Sequence, residues 1–96
     1  MYAWLVYDIT KTRRRNKVIK ICKDFGLIRA QKSVFVGLID DERTQKFKAM
    51  LVSVIDANCD SVFLLPTTRT AIDKSDYFGV AFDKKLAMQE YDLIFF

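Results

Sequence analysis

Tyr2-Ala3-Trp4-Leu5-Val6-Tyr7-Asp8-Ile9 is the stretch on which the fold turns. Aromatic and branched side chains follow one another almost without a break, the composition of a strand buried in a sheet. Successive side chains of a strand face opposite sides, so this strand is apolar on both faces. Helices packed on one side leave Trp4 and Val6, or their alternates, in need of a cover on the other. A second copy of the sheet is the simplest cover, and a symmetric dimer is expected. Asp8 interrupts the apolar run at its C-terminal end.

After this strand, Val18, Ile21, Cys22 and Phe25 recur at helical spacing. Thr10 or Thr12 is placed to cap that helix, and Gly26 to stop it in a left-handed conformation. Residues 30–39 read as extended chain, with Gly37 as a kink that divides it into two short strands. Asp40, Asp41 and Glu42 open a second helix, where negative charge suits the helix dipole. Its apolar face is Phe47, Leu51, Val54 and Ile55, and Asn58 is its expected end. Residues 61–65 form a further strand ended by Pro66, and residues 77–82 one more. Strand, helix, extended segment, helix, strand, strand is the order of a split βαβ unit. That order predicts one α/β (α+β) domain over 1–96, a ferredoxin-like sandwich with two helices on one face of an antiparallel sheet. The dimer would form through the sheets. Residues 77–96, ending in the apolar Tyr91-Asp92-Leu93-Ile94-Phe95-Phe96, are expected to dock on the partner protomer or on another protein.

Ninety-six residues, 51% of them apolar, suit one modest core. No apolar run approaches the roughly 20 residues that span a bilayer. The first residues carry neither a leading cation nor a cleavage site, so the expected compartment is the cytoplasm, with no membrane partner. Cys22 and Cys59 lie apart and there is no histidine, which argues against zinc and leaves two buried thiols as the ordinary expectation.

The net charge of +4 is unevenly spread. Between Lys11 and Lys32 stand nine cations and one anion, Asp24, so that segment carries +8 and the rest of the chain −4. Such asymmetry predicts a polyanionic partner, DNA or RNA. Arg13, Arg14, Arg15 and Lys17 at the opening of the first helix are the candidate phosphate contacts, beside free backbone N–H groups. A solvated helix face is the competing reading of the same run.

The lack of histidine removes paired-imidazole ribonuclease chemistry and Ser-His or Cys-His nucleophiles. No glycine-rich phosphate loop is present. Phosphodiester cleavage would then need a divalent metal such as Mg²⁺, with Asp8 as the candidate ligand. One carboxylate binds Mg²⁺ weakly, and a two-fold axis near the strand end would bring a second Asp8 to it. In the competing reading, Asp8 only ends the strand or caps the helix.

Tyr7-Asp8-Ile9, the basic Arg13-Arg14-Arg15-x-Lys17, Phe25-Gly26 and Gln31-x-Ser33-Val34-Phe35-x-Gly37 together resemble the Cas2 family of CRISPR-associated proteins. The similarity extends through Asp60-Ser61-Val62 to Pro66. It implies a ferredoxin-like homodimer whose C-terminal strand crosses to the partner, with a metal ion held between two copies of Asp8. It also implies endonuclease activity on RNA or duplex DNA, and a dimer that bridges two Cas1-type integrase dimers during spacer capture. Tyr7, Asp8, Arg15, Arg29 and Phe35 match positions tied to cleavage; Lys17 stands where the family often has a second arginine. Three readings compete: a metal-dependent nuclease, a DNA-binding scaffold for the integrase, and an unrelated ferredoxin-like regulatory or RNA-binding domain. A single carboxylate per chain with no identifiable general base favours the scaffold.

Overall fold

Four strands, β1 (Tyr2–Asp8), β2 (Ile28–Gln31), β3 (Val34–Leu38) and β4 (Ser61–Thr67), alternate with helices α1 (Thr12–Asp24), α2 (Thr44–Val54) and α3 (Arg69–Lys74). They are seen in a computed structural model that describes residues 1–76 and 78. The sheet order is β2-β3-β1-β4, with β1 antiparallel to both β3 and β4. Because β3 is also antiparallel to β2, it lies between two parallel strands joined through α1, the split βαβ arrangement expected of a ferredoxin-like fold.

Alternation along β1 sends Ala3, Leu5 and Tyr7 to one face, where all three are buried. Val18, Ile21 and Cys22 of α1 and Phe47 and Leu51 of α2 close over them together with Phe35. The Phe25 and Phe47 rings lie 5.0 Å apart, tilted by 55°, a favourable aromatic geometry. Helix α1 ends as expected: Gly26 has φ 85°, and its N–H donates to the Lys23 carbonyl while Leu27 N–H donates to that of Cys22. This pair of bonds is the Schellman motif, which needs a residue free to enter the left-handed region. Cys22 is a buried free thiol that burial pushes up to about 12, but Cys59 is exposed, against the expectation that both are buried.

Other boundaries differ from the sequence reading, each for a local reason. Neither Thr10 nor Thr12 caps α1; Lys11 holds the N-cap position without a side-chain bond, and the Thr10 hydroxyl donates to the Cys59 carbonyl instead. The break between β2 and β3 falls at Lys32 and Ser33, not at Gly37, which sits within β3 opposite Ala3. Helix α2 stops at Val54 rather than near Asn58, because the Asp56 N–H donates to the Asp60 carboxylate at 2.9 Å. Pro66 does not end β4, which continues to Thr67; an edge strand tolerates a residue with no N–H to give to the ladder.

Helix α3 was not foreseen. Thr68 caps it by accepting the Ala71 N–H at 3.0 Å. Its Ile72 is fully buried with Ala30 and Val36, against Tyr2, Trp4, Ile28, Val34 and Leu38. Part of the second face, expected to await another copy, is therefore covered by the same chain. Phe63 (59% exposed) and Leu65 (49%) remain open on that face, opposite Val6 and Trp4 in the β1–β4 register. The expected strand at 77–82, apart from Phe78, and the apolar tail at 91–96 lie outside the described residues. Among the described residues no helix is long and apolar enough to cross a membrane.

Ile72→Ala should lower the unfolding free energy by about 2–5 kcal/mol, the usual cost of truncating a fully buried branched side chain, and Thr70→Ala, on the exposed side of α3, by less than about 0.5 kcal/mol. Urea midpoints at unchanged slope measure both; equal small shifts would mean that α3 does not dock on the sheet.

Candidate nucleic-acid interface

The C-terminal end of β1, the first turns of α1 and the β2–β3 turn meet around a cleft of about 260 Å³, lined by Tyr7, Asp8, Ile9, Arg15, Lys32 and Ser33. Tyr7 is anchored from below: its ring stacks 6.3 Å from Phe35, and its hydroxyl donates to the Lys32 carbonyl at 2.7 Å. Arg29 donates to that same carbonyl at 2.7 Å and lies 6.0 Å from the Phe35 ring centroid. Tyr7, Phe35 and Arg29 thus share one carbonyl and one ring, and they hold the β2–β3 turn against the end of β1. Burial pushes the Tyr7 phenol up, with the Arg29 charge pulling the other way. The phenol stays protonated at neutral pH, so it can donate a hydrogen bond but is no general base.

Asp8 is exposed and shares the alternation of Tyr2, Trp4 and Val6, which puts it on the open face of the sheet. Arg15 donates from Nη2 and Nε to the Ile9 carbonyl at 3.1 and 3.3 Å, which ties α1 to the residue that follows Asp8. The structure therefore brings Tyr7, Asp8 and Arg15 together at the cleft, with Arg29 and Phe35 in support.

The first turn of α1 carries no acid. A run of cations at a helix N-terminus opposes the dipole, and a locally unfavourable choice points to a use elsewhere. That use differs residue by residue. Arg13 and Lys17 are exposed and stand four apart, on one face of the helix. Arg14 is committed inward, its Nε donating to Asp60 Oδ2 at 2.6 Å and its Nη2 to Oδ1 at 3.3 Å. The four cations expected to act together on phosphate are thus split: two point to solvent, one is bonded to carbonyls and one is paired with a carboxylate.

Asp60 is the buried charged residue among the described residues, its side chain fully enclosed. Besides Arg14 it accepts the N–H groups of Thr10, at 3.0 Å, and Asp56, at 2.9 Å. The Arg14 guanidinium, then these backbone donors, hold its carboxyl well below the ordinary value of 3.8. Sequence reasoning gave Asp60 no role, and its only local signal is a carboxylate set between a polar turn and an apolar strand.

Asp8 in one chain does not make a Mg²⁺ site. Among the described residues no three potential ligands cluster, and the cleft beside Asp8 holds the cations Arg15 and Lys32. Such a site needs oxygen ligands beyond those the described residues of one chain bring to Asp8.

Residues 1–75 match the family model described as CRISPR associated protein Cas2. A CRISPR-associated endoribonuclease Cas2 of Pyrobaculum aerophilum is 34% identical over 79 residues, 82% of this chain and 87% of that one. A Cas1/Cas2 endonuclease fusion of Thermoproteus tenax is 36% identical over 76 residues, 78% of this chain and 28% of the fusion. The alignment to a Methanospirillum hungatei relative spans 47% of its length. The crystal structure of Streptococcus pyogenes Cas2 superposes with a TM-score of 0.75 at 25% identity, covering 82% of this chain and all of that one.

The lowered Asp60 pKa has a fixed sign in linkage. Its contribution to stability is complete above the unfolded value of about 4 and is lost as pH falls from there through the folded value. Asp60→Asn should therefore be less stable than the parent at pH 7, with the gap closing below pH 4. Denaturation midpoints across pH 2–7 measure it, and a gap constant over that range would show that folding does not lower the Asp60 pKa.

Proposed function

The chain belongs to the Cas2 family of CRISPR associated proteins, and from that premise we propose that it acts as a homodimeric, nucleic-acid-binding scaffold in cytoplasmic CRISPR adaptation. The observation that carries this reading is the placement of Asp8 on the same face as the exposed Phe63 and Leu65. Two open faces brought together bury those side chains, and they bring the two Asp8 carboxylates to the same edge of the interface. Residues 77–96 supply further apolar chain for the partner or for a neighbouring protein.

Duplex DNA or RNA lies on the α1 side, its phosphates met by Arg13 and Lys17, with Arg15 at the cleft. Arg14 contributes through Asp60 rather than through phosphate. The partner complex is a Cas1-type integrase whose dimers the scaffold bridges; the relative in which Cas1 and Cas2 are one chain supports this pairing.

Cleavage is the second reading, supported by the relatives named endoribonucleases. Here the Asp8 residues of both protomers would hold a divalent ion, Mg²⁺ by preference for carboxylate oxygen. Such an ion supplies charge neutralisation at phosphate and a more acidic water. Arg15 and Arg29 would then hold the phosphodiester, while Tyr7, whose hydroxyl donates to the Lys32 carbonyl, and Phe35 behind it would fix the β2–β3 turn at the cleft. With Tyr7 protonated and no histidine in the chain, no side chain stands out as a general base. Binding is accordingly the primary role.

One pair of variants separates these statements. Phe63→Glu should sediment as a monomer and lose both EDTA-sensitive cleavage and integration with the integrase. Asp8→Asn should sediment at about twice the chain mass and integrate normally while cleavage of labelled RNA and duplex DNA disappears. A dimeric, fully active Phe63→Glu overturns the interface, and undiminished cleavage by Asp8→Asn overturns the metal assignment.

A further inference from the structure

Asp60 has a fully enclosed side chain, and it joins three segments of the chain. Its Oδ1 takes the Thr10 N–H from the β1–α1 loop, and its Oδ2 takes the Asp56 N–H from the α2–β4 loop. Both oxygens take Arg14 from the first turns of α1. Thr10 follows Asp8 by two residues, and Arg14 stands between Arg13 and Arg15. The Thr10 hydroxyl adds a second tie to the same loop through the Cys59 carbonyl, at 3.2 Å.

We propose that Asp60 is a positioning residue for nucleic-acid binding, which sets the height and rotation of the α1 N-terminus so that Arg13 and Lys17, exposed on one face of the helix, meet phosphates. The inference rests on the nucleic-acid reading above. Its physical content is that a helix starting with cations, and without a side-chain cap, is held by a carboxylate from another element. Arg14 is the cation used for holding, and the exposed Arg13 and Lys17 are left for the ligand. Asp60→Asn nearly preserves shape, but it places two N–H donors and one acceptor oxygen where backbone and guanidinium donors converge. The arrangement is then under-satisfied and the loop and helix end are released.

The sign of the effect distinguishes positioning from simple charge. Removing an anion beside a polyanion-binding surface strengthens binding if only Coulomb forces act. Positioning predicts the opposite. The experiment measures the affinity of the full chain for a labelled DNA duplex across a salt series, with folded fraction checked by circular dichroism. Wild type should bind with a steep log–log salt slope. Asp60→Asn should bind more weakly, with the slope reduced by about 0.9 for each phosphate that the helix no longer reaches. A purely structural role would change the folded fraction and leave the slope alone.

Arg14→Lys, which keeps the charge and removes the two-pronged bond to the carboxylate, should weaken binding in the same direction and covers the case in which Asp60→Asn fails to fold. Equal or tighter binding by folded Asp60→Asn, or unchanged binding by Arg14→Lys, overturns the assignment of Asp60. A wild-type chain that shows no salt-dependent binding overturns the nucleic-acid reading itself, and this inference with it.

Discussion

One buried carboxylate and the donors that converge on it set the geometry of the functional end of the molecule. An enclosed Asp60 side chain is tolerated only because a guanidinium and two backbone N–H groups meet it. Those donors come from the β1–α1 loop, from α1 and from the α2–β4 loop. The end of β1, with Asp8, and the start of α1, with its cations, are therefore tied to the segment that leads into the edge strand. This also accounts for a helix that opens on three arginines against its own dipole. One is a structural tie to Asp60, one reaches back to the Ile9 carbonyl, and only the remaining one is exposed.

The sheet divides labour between its faces. One face holds the core, with Phe35 and Phe47 fully enclosed between strands and helices. The other is half covered by α3 through Ile72, and Phe63 and Leu65 stay exposed at its β4 side. Exposed aromatic and aliphatic side chains on a sheet face are a liability that association removes. Because β1 alternates strictly, the same register that leaves Val6 on this face also places Asp8 there. In the proposed dimer, burial of these side chains and the pairing of two carboxylates both follow from one period-two pattern.

The parts of the fold legible in the sequence were those carried by local periodicity. The apolar run of β1, the stripe Val18, Ile21, Cys22 on α1 and the pair Phe47, Leu51 on α2 all lie where that spacing puts them. Gly26 ends α1 because its conformational requirement is also local. The features missed depend on distant partners. Asp60 and Arg14 are 46 residues apart, and the turn at Lys32 is held by a backbone carbonyl that no residue pattern displays. Helix α3 is six residues long with one buried side chain, too short for a period to show. At the site, residue types and the family resemblance brought Tyr7, Asp8, Arg15, Arg29 and Phe35 forward, and the structure sets them around one cleft and its support. What sequence could not show is that adjacent arginines have different duties, because their directions are fixed by the carboxylate they meet.

The convergence on Asp60 is most directly tested by following amide and guanidinium resonances of the isotope-labelled chain by NMR during an acid titration. The account predicts that Thr10 N–H, Asp56 N–H and Arg14 Nε–H shift together, with one shared midpoint well below the ordinary aspartate value of 3.8. Three separate midpoints, or a midpoint at or above the ordinary aspartate value, would contradict it.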